Sequence, residues 1–285
     1  MVSSPLLSVI LVNYRGKEFT IRCIHSLYAH QLSFPLEIIV VDNHSDDGSV
    51  DVIRRSFPRV TILELPENKG FGFANNEGAA KAHGEYLFFL NNDTEIENDC
   101  FTPIVNFFST RTHVGIVGPK LIYGDRGFQL SFGKFPTLLN EYRTKSLLKK
   151  EHRIVPPTQP QKVDWVTGAA LCMPKQLFTS IGGFDQHYFM YFEDADLCKR
   201  VTNEGYSVWY VPSVSIIHHK GKSYTQSSDR IAVEYRKSQL YYYQKHGLIV
   251  EFRLLKFYLF LKYGLLCLQS EKRAVAKQIL KLLHS

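Results

Sequence analysis

Short apolar runs alternate with segments of helical periodicity along the first 90 residues. The runs at 8–12 and 36–41 are continuous and rich in β-branched side chains, which is typical of strands buried on both faces of a parallel sheet. Between these runs, apolar side chains recur at helical spacing, at Phe19, Cys23, Ile24, Leu27 and Tyr28. The pattern predicts a strand, a helix that packs on the sheet, and a second strand.

The same alternation continues to residue 90. It predicts helices near 49–57 and 72–82 and strands near 60–65 and 85–90. Strands that alternate with helices indicate βαβ units, whose ligands bind at the carboxyl ends of the strands. Residues 42–48 and 91–93 directly follow strands, so we expect them to contribute to a site.

One strand ends abruptly in polar residues. Leu87–Leu90 is followed without a break by Asn91, Asn92 and Asp93. Asn and Asp commonly end strands because their side chains stabilise turns. The alternative is that the strand delivers Asp93 to a functional site, and this stretch by itself leaves both interpretations open.

The middle of the chain is less regular. Residues 141–162 are basic and contain proline without a clear period, so we expect a mobile loop over a cleft or a plain connector. Strand character resumes in "VDWVTGAALCMP" and in "SVWYVPSVSIIHH", which ends in His218 and His219. Neighbouring residues of a strand point to opposite faces, so at most one of the two histidines should reach the site.

The C-terminal segment is basic. Of the net charge of +7, the residues from Arg230 onward carry +8, with 11 Lys and Arg against 3 Glu, and the first 229 residues carry −1. Near the end, Val275, Ile279, Leu282 and Leu283 share one helical face, and Arg273, Lys277 and Lys281 share the opposite one. A neutral body with a basic, leucine-rich tail favours an anionic membrane surface over nucleic acid as partner.

Composition narrows the protein class. The hydrophobic fraction of 45% and the aromatic fraction of 13% exclude wholesale disorder. The five cysteines form no CxxC pair, which favours reduced thiols in a cytoplasmic protein. Asn13 and Arg15 interrupt the first apolar run, so we interpret it as a strand and not as a signal peptide. No run reaches the roughly 18 apolar residues of a membrane-spanning helix.

Two early stretches could bind a ligand. In "VVDNHSDDGS", Asp42 ends a strand and could accept hydrogen bonds from a nucleobase or ribose, although an Asx turn explains it equally well. The stretch "ENKGFGFANNEG" combines glycines with amides near a helix start, where anions are favoured. It matches neither the dinucleotide fingerprint nor the phosphate-binding loop of ATPases.

A third stretch, "FDQHYFMYFEDADLCKR", sets Glu193, Asp194 and Asp196 in aromatic surroundings. Apolar surroundings raise the pKa of a carboxylate, which suits a general base. These acids are equally suited to the first turn of a helix, with Arg200 pairing one turn later. Both interpretations remain open from this stretch alone.

Taken in order, these stretches resemble the inverting family-2 glycosyltransferases with the GT-A fold. The resemblance covers about residues 5–225 and rests on "SVILVNYRG", "IIVVDNHSDDGS", "ENKGFGFANNEGAAKAHGEYLFFLNNDTEI" and the segment from "VDWVTGAALCMP" through "FMYFEDADLCKR" to "SVSIIHHKGKS". Within that family it is most similar to the rhamnosyltransferase-like branch, which acts in cell-surface polysaccharide assembly.

The resemblance implies a role for each matching residue. One group of residues would contact the donor: Asn13, Tyr14, Asp42, Asn68, Gly70, Asn76, Asn92 and Asp93. Within this group, Asp42 would bind the nucleobase. Asp93 matches the last acid of the family's DxD motif and would bind Mg²⁺ or Mn²⁺, with His218 as a further ligand. Asp194 would be the general base, and Trp165, Gly168 and Glu193 would shape the acceptor side.

The implied chemistry is consistent with these residues. Displacing a nucleoside diphosphate from a sugar needs a hard cation at the leaving group and a base on the opposite face. One metal-site carboxylate and one distant base fit a single in-line displacement, which inverts the anomeric centre. Asn91 stands where the family places the first acid of its motif, which predicts weak metal binding in the absence of the donor.

The resulting expectation is an α/β protein with a mostly parallel nucleotide-binding sheet flanked by helices and a C-terminal helical extension. Its GT-A domain would span residues 1–228, with a nucleotide-binding half to about 120 and an acceptor half from 121, followed by a basic amphipathic tail over 229–285. The partners would be a dTDP- or UDP-sugar, a glycan or lipid-linked glycan, and the inner face of the cytoplasmic membrane.

Three alternatives stay open. A sugar-nucleotide pyrophosphorylase would need a glycine-rich phosphate loop near the N-terminus, and "SVILVNYRGKEF" has no such run. A non-enzymatic membrane-surface protein would leave Asp42, Asp93 and Asp194 without a role. Residues 252–268 could instead pack on the catalytic domain or on a second subunit, which would make a homodimer.

Overall fold

The computed structural model describes residues 6–29, 34–219 and 228–283. Twelve labelled strands occur in this part of the chain: β1 Leu7–Asn13, β2 Leu36–Asp42, β3 Thr61–Glu64, β4 Tyr86–Asn91, β5 Thr94–Glu95, β6 Val114–Ile122, β7 Phe128–Gln129, β8 Phe132–Gly133, β9 Gln161–Val163, β10 Trp165–Val166, β11 Ala170–Pro174 and β12 Ser207–His218.

Ten labelled α-helices accompany the strands: α1 Lys17–Tyr28, α2 Ser49–Ser56, α3 Phe71–Lys81, α4 Phe101–Ser109, α5 Leu138–Leu148, α6 Lys175–Ser180, α7 Glu193–Asn203, α8 Ser228–Lys245, α9 Ile249–Leu266 and α10 Arg273–Leu282. Short 3₁₀ turns lie at Glu151–Arg153 and Ser270–Lys272. The predicted helices and strands of the first 91 residues are confirmed, with ends that differ by one or two residues.

The central sheet has the order β3-β2-β1-β4-β11-β6-β12-β5. In the first half, β1 pairs in parallel with β2 and β4, and β2 pairs in parallel with β3. Strand β11 then runs antiparallel to β4 and β6. The carboxyl ends of β1, β2 and β4 therefore meet at one edge, as the βαβ pattern predicts.

Apolar layers cover both faces of the sheet. One layer packs α1, α2 and α4 against β1, β2 and β4, around Ile24, Ile53 and Phe101. The other packs α3, α6 and α7 on the opposite face. Gly78 of α3 makes this second contact close, because a Cβ there would lie 2.6 Å from Cγ2 of Ile10.

The prediction of a loop or connector over residues 141–162 is wrong for its first part. Leu138–Leu148 is the helix α5, which begins where the Thr137 hydroxyl accepts a hydrogen bond from the backbone N–H of Asn140. None of the residues of α5 is buried, so its sequence lacks the apolar repeat of a helix that packs on a core.

The C-terminal helices form one unit with the aromatic segment before α7. Tyr188 and Phe192 share a buried cluster with Tyr242 of α8, Leu259 of α9 and Ile279 of α10. The amphipathic pattern of the last helix is confirmed, but its apolar face lies inside this unit and is not available to a membrane. Within the described residues, no helix has the length and apolar character needed to cross a membrane.

Candidate functional site

The edge where β1, β2 and β4 end is organised around Asn13. Its side chain is 0% exposed, and its amide nitrogen lies 2.7 Å from Oδ1 of Asp42 and 2.8 Å from Oγ of Ser49. Its amide oxygen accepts hydrogen bonds from Thr20 and Asn92. Asn13 and Asn92 therefore join the chain at the ends of β1, β2 and β4. That Asn13 also lines the nucleotide pocket stays a prediction.

Asp42 and Tyr14 occupy the same edge. The second carboxylate oxygen of Asp42 accepts a hydrogen bond of 3.0 Å from the backbone N–H of Ser45, so the carboxylate is held in one orientation. Tyr14 is half-buried, with the Arg15 guanidinium 5.4 Å from its ring centre. Its ring is thus more accessible to a ligand than the neighbouring Asn13 side chain.

The glycine-containing loop before α3 is held by amide contacts. Oδ1 of Asn68 accepts from the side chain of Asn43 at 2.9 Å and from the backbone N–H of Gly70 at 3.0 Å. Gly70 has φ +98°, and a Cβ there would lie 2.2 Å from the carbonyl oxygen of Phe189. Only glycine permits this close approach of the loop to the segment that leads to α7.

Asn76 joins α3 to the chain before α7. Its amide donates to the carbonyl oxygen of Phe184 at 2.8 Å and accepts from the N–H of the same residue at 2.8 Å. Both ends of the amide therefore bind this backbone. The expected contact of Asn76 with the donor stays a prediction.

Asp93 and His218 come together as expected. Nε2 of His218 lies 3.2 Å from Oδ1 of Asp93 and 3.4 Å from the side-chain nitrogen of Asn91. On the other side of the imidazole, Nδ1 lies 2.6 Å from Oε1 of Gln129. An Nδ1–H that donates to this carbonyl oxygen would leave the lone pair of a neutral ring on Nε2.

This arrangement fits a divalent cation. An imidazole nitrogen and a carboxylate oxygen at this distance can bind the same cation, and a partner on the far imidazole nitrogen is typical of metal-binding histidines. Among the described residues, no group of three or more His, Cys, Asp or Glu side chains could hold a metal ion. Two protein ligands suit a cation that completes its shell with water and phosphate oxygens.

His219 points away from Asp93. Its ring lies 2.9 Å from a carboxylate oxygen of Glu95, and its backbone N–H donates to the carbonyl oxygen of Asp93 at 2.8 Å. The rings of His218 and His219 thus have different partners, as strand alternation predicts. The backbone contact joins the end of β12 to the turn that carries Asp93.

An unusual backbone turn sets the direction of the second acidic group. Tyr191 and Phe192 both have φ 68°, a conformation that non-glycine residues seldom adopt and that costs free energy. Helix α7 begins immediately afterwards with Glu193 and Asp194. The two carboxyl groups are thereby aimed by a strained turn that the packing of Phe192 maintains.

Asp194 has the environment of a general base. One carboxylate oxygen accepts from the backbone N–H of Gly168 at 3.1 Å, and the other accepts from the N–H of Ala195 at 2.8 Å. Burial raises the pKa of Asp194, and these two hydrogen bonds counteract part of that rise.

Glu193 is more strongly perturbed. Its residue is 7% exposed, and within the described part of the chain Oε2 has no hydrogen-bond partner. Burial, and then the charge of Asp194, raise the pKa of Glu193 well above its usual range. Glu193 is therefore suited to hold a proton that it can donate to a ligand.

A cavity of about 600 Å³ joins these groups. Asn91 lines it from the Asp93 side, Asp194 and Glu193 line it from α7, and Trp165 and Gly168 line it from the chain around β10. The indole N–H of Trp165 donates to the carbonyl oxygen of Lys134 at 2.8 Å, which fixes the ring. The residues expected on the acceptor side thus share one cavity with the expected base.

Sequence reasoning missed the wall formed by α5. Asn140, Glu141 and Lys145 line the cavity from this helix. Glu141 in turn accepts hydrogen bonds from α8, namely from Tyr243 at 2.7 Å and from Gln239 at 2.7 Å. The partners that hold Glu141 lie about one hundred positions away in the sequence. The local signal for α5 was therefore its N-cap residue, Thr137.

Comparisons with known proteins identify the family of this chain. The family model described as "Glycosyl transferase family 2" matches residues 8–166. The N-acetylglucosaminyl-diphospho-decaprenol L-rhamnosyltransferase of Mycobacterium tuberculosis is 26% identical over 77% of this chain and 78% of its own. Rhamnosyltransferase WbbL of Escherichia coli is 24% identical over 78% of this chain and 88% of its own.

Solved structures share the fold. GalNAc-T7, crystallised with UDP, GalNAc and Mn²⁺, superposes with a TM-score of 0.62 at 18% identity, over 84% of this chain and 48% of its own. The mannosyltransferase PcManGT of Pyrobaculum calidifontis, in complex with GDP-Man and Mn²⁺, gives a TM-score of 0.59 at 18% identity, over 86% of this chain and 64% of its own. This chain therefore spans about half of the first structure and less than two thirds of the second.

The family match covers more than half of the chain, and the likeness to solved structures extends the fold over most of the rest. The chain belongs to glycosyl transferase family 2, has the GT-A fold and is similar to rhamnosyltransferases of that family.

Proposed function

We propose that the protein is an inverting, metal-dependent glycosyltransferase that moves a sugar from a nucleoside diphosphate donor to a lipid-linked or polysaccharide acceptor. The observation that carries the proposal is the cavity itself. Asn91, whose amide lies 3.4 Å from Nε2 of His218, and Asp194 line the same space. A residue beside the proposed leaving-group site and a candidate base that line one cavity are compatible with a single in-line displacement.

The donor would lie along the edge formed by β1, β2 and β4. Asp42 is oriented to accept hydrogen bonds from a nucleobase, Tyr14 offers an accessible ring, and the Asn68–Gly70 loop lies close to the neighbouring backbone. Asn13 and Asn92 would act through the residues they fasten. The names of the relatives suggest L-rhamnose as the sugar, and hence a dTDP- or UDP-linked donor.

Asp93 and His218 would hold Mg²⁺ or Mn²⁺, and Gln129 would keep Nε2 of His218 directed at the ion. When bound, the cation supplies positive charge to the diphosphate as it leaves. Asn91 adds no charge, so the protein alone provides one carboxylate and one imidazole. We infer that the metal binds more tightly once donor phosphates complete its shell.

Asp194 would take the proton from the acceptor hydroxyl. Its raised pKa improves its basicity, while the N–H groups of Gly168 and Ala195 hold both oxygens in place. Glu193, protonated, would donate a hydrogen bond to an oxygen of the acceptor sugar. Trp165 would present its fixed ring to an apolar face of the same sugar.

The test is transfer from a panel of dTDP- and UDP-sugars with Mn²⁺, comparing wild type with Asp194→Asn. We expect a loss of at least about 10²-fold in turnover, since a positioned base contributes roughly 10²–10⁴-fold. Glu204→Gln, an exposed acid at the other end of α7, is the matched control and should retain activity. Undiminished transfer by Asp194→Asn would overturn the assignment.

The stereochemistry needs its own measurement. Proton NMR of the product formed early in the reaction should show an anomeric configuration opposite to that of the donor. Retention would contradict the single-displacement mechanism even if Asp194 proved essential.

A further inference from the structure

We propose that the exposed apolar face of α9 is a docking surface for an anionic phospholipid bilayer. We define this surface, the α9 face, by Val250, Leu254, Phe257, Leu261 and Leu265. It differs from the face of the last helix that the sequence pattern indicated. The proposal deepens the proposed function by naming the surface on which a lipid-linked acceptor would be met, and it rests on that function only in this respect.

The α9 face is contiguous. At 100° per residue its five side chains fall within an arc of roughly 80°, and each is about half or more exposed, with Val250 at 70% and Leu265 at 68%. The opposite side of the helix packs inward through Leu255, Leu259 and Tyr263. Apolar patches of this kind on a folded protein mark interaction sites.

Exposed apolar side chains are concentrated in one part of the molecule. Of the fifteen large hydrophobic residues that are exposed in the described part of the chain, nine lie between Ile249 and Leu268 and five between Leu139 and Val155. These two segments are connected, because Glu141 of α5 is hydrogen-bonded to α8 and α9 packs on α8. The cavity wall and the α9 face therefore belong to the same end of the fold.

Charge identifies the partner. Arg253 borders the α9 face on one side and Lys262 on the other, and Lys277 and Lys281 are exposed on the neighbouring α10. Between Ile249 and Leu283 the chain carries seven Lys and Arg against two Glu. An apolar face flanked by basic side chains binds at the boundary between headgroups and acyl chains of an anionic bilayer.

A second copy of the chain fits this surface less well. A two-fold dimer through the α9 face would bring the same surface of both copies together. The cations along its borders would then face cations, whereas anionic headgroups would neutralise them. Such a dimer is therefore an outcome that the experiment must be able to detect.

The experiment is vesicle co-sedimentation of the full chain without nucleotide sugar. Vesicles of phosphatidylcholine alone and of phosphatidylcholine with phosphatidylglycerol are compared at low and high salt. The test variant carries Phe257→Asp and Leu261→Asp, and Tyr28→Asp is the matched control, since Tyr28 is exposed on α1, away from the α9 face. Leu254→Ser with Leu265→Ser provides a milder second variant, and thermal unfolding verifies that each protein is folded.

We expect wild type and Tyr28→Asp to bind the anionic vesicles and to lose binding at high salt. Both α9-face variants should bind at least about tenfold more weakly, because polar groups replace buried apolar area. Equal partitioning of wild type and folded variants would overturn the proposal. So would a wild-type dimer in sedimentation velocity that the variants abolish while vesicle binding is absent.

Failure of the proposed function would look different. Asp194→Asn should bind vesicles as wild type does, since binding requires no catalysis. Vesicle binding without sugar transfer would leave the surface assignment intact and count against the glycosyltransferase mechanism. Transfer to a water-soluble acceptor without vesicle binding would support the glycosyltransferase mechanism and count against the α9 face as a membrane-binding surface.

Discussion

Nε2 of His218, at the end of β12, lies 3.2 Å from Oδ1 of Asp93, just after β4. Asp93 directly precedes β5, which pairs antiparallel with the end of β12 so that Thr94 lies opposite His218. This pairing brings the two side chains together. We propose that His218 thereby becomes a second ligand for the cation beside a motif in which Asn91 replaces the first acid.

Removing Gln129 should weaken metal binding without touching either ligand. Gln129→Leu removes the acceptor for Nδ1–H, so the imidazole loses its fixed tautomer and orientation. We expect an affinity for Mn²⁺, measured by calorimetry in the presence of UDP or dTDP, roughly 10–100-fold lower. Gln129→Glu, which keeps an acceptor oxygen, should restore most of it. Equal affinities for wild type and Gln129→Leu would show that Gln129 has no such role.

Chelation should remove transfer activity, and the metal requirement should depend on the donor. Wild type treated with EDTA should regain activity with Mn²⁺ or Mg²⁺, and Asp93→Asn should not. Calorimetry with Mn²⁺ alone should show much weaker binding than with a nucleoside diphosphate present, because two protein ligands leave most of the shell open. Tight binding of Mn²⁺ alone would contradict this arrangement.

Glu193→Gln should stabilise the protein while impairing acceptor binding. The pKa of Glu193 is higher in the folded protein than in the unfolded chain, so ionisation as the pH rises costs folding stability. The variant has no such ionisation. Its stability advantage should be absent below the ordinary glutamate pKa of about 4.3 and grow as the pH rises above it.

Urea unfolding of wild type and Glu193→Gln at several pH values tests the stability part. Steady-state kinetics should show a raised KM for the acceptor, because the amide is a poorer substitute for a donating carboxylic acid. A stability difference that does not vary with pH would mean that Glu193 does not ionise in this range.

Gly70→Ala should destabilise the protein more than the same substitution at Gly182, which has open surroundings. A Cβ at Gly70 meets the Phe189 carbonyl, whereas Gly182, with φ +80°, has nothing within 4 Å of a new Cβ. Gly182→Ala should cost about 1–2 kcal/mol of unfolding free energy from the backbone alone. Gly70→Ala should cost clearly more in urea titrations, and equal losses would argue against close contact.

Glu141→Ala should loosen α5 from α8. It leaves the hydroxyls of Tyr235 and Tyr243 and the amide of Gln239 without their common acceptor, at a cost of roughly 1–3 kcal/mol. Hydrogen exchange of α5 and α8 amides should accelerate, while that of β1 and β4 should not. Unchanged exchange in α5 would show that other contacts hold this helix.

The first half of the fold follows from local patterns. Leu7–Asn13, Leu36–Asp42 and Tyr86–Asn91 are continuous apolar strands, so their existence and the meeting of their ends could be predicted from periodicity. That only one of the two histidine rings would lie beside Asp93 also followed, because strand alternation separates His218 from His219. Gln129 could not be found in this way, since its only relevant contact is across the sheet.

The errors have a common physical cause. Helix α5 has no buried face, and the contacts that hold it come from polar residues about one hundred positions later. The apolar stripe containing Ile279 looks the same in sequence whether it meets lipid or another helix, and here it meets α8 and α9. The protein partners of the Asn13 and Asn76 amides were likewise not predicted, since periodicity does not reveal contacts between distant elements.

The left-handed turn at Tyr191 and Phe192 links the C-terminal helices to the position of Asp194. The Phe192 ring packs 5.3 Å from that of Tyr235 and 5.5 Å from that of Tyr242, both on α8. A chain shortened before α8 to improve solubility would lose the packing that maintains this turn. Such a protein would keep the sheet edge that we propose binds the nucleotide, but Asp194 would be poorly positioned. Truncation would therefore reduce turnover more than donor binding.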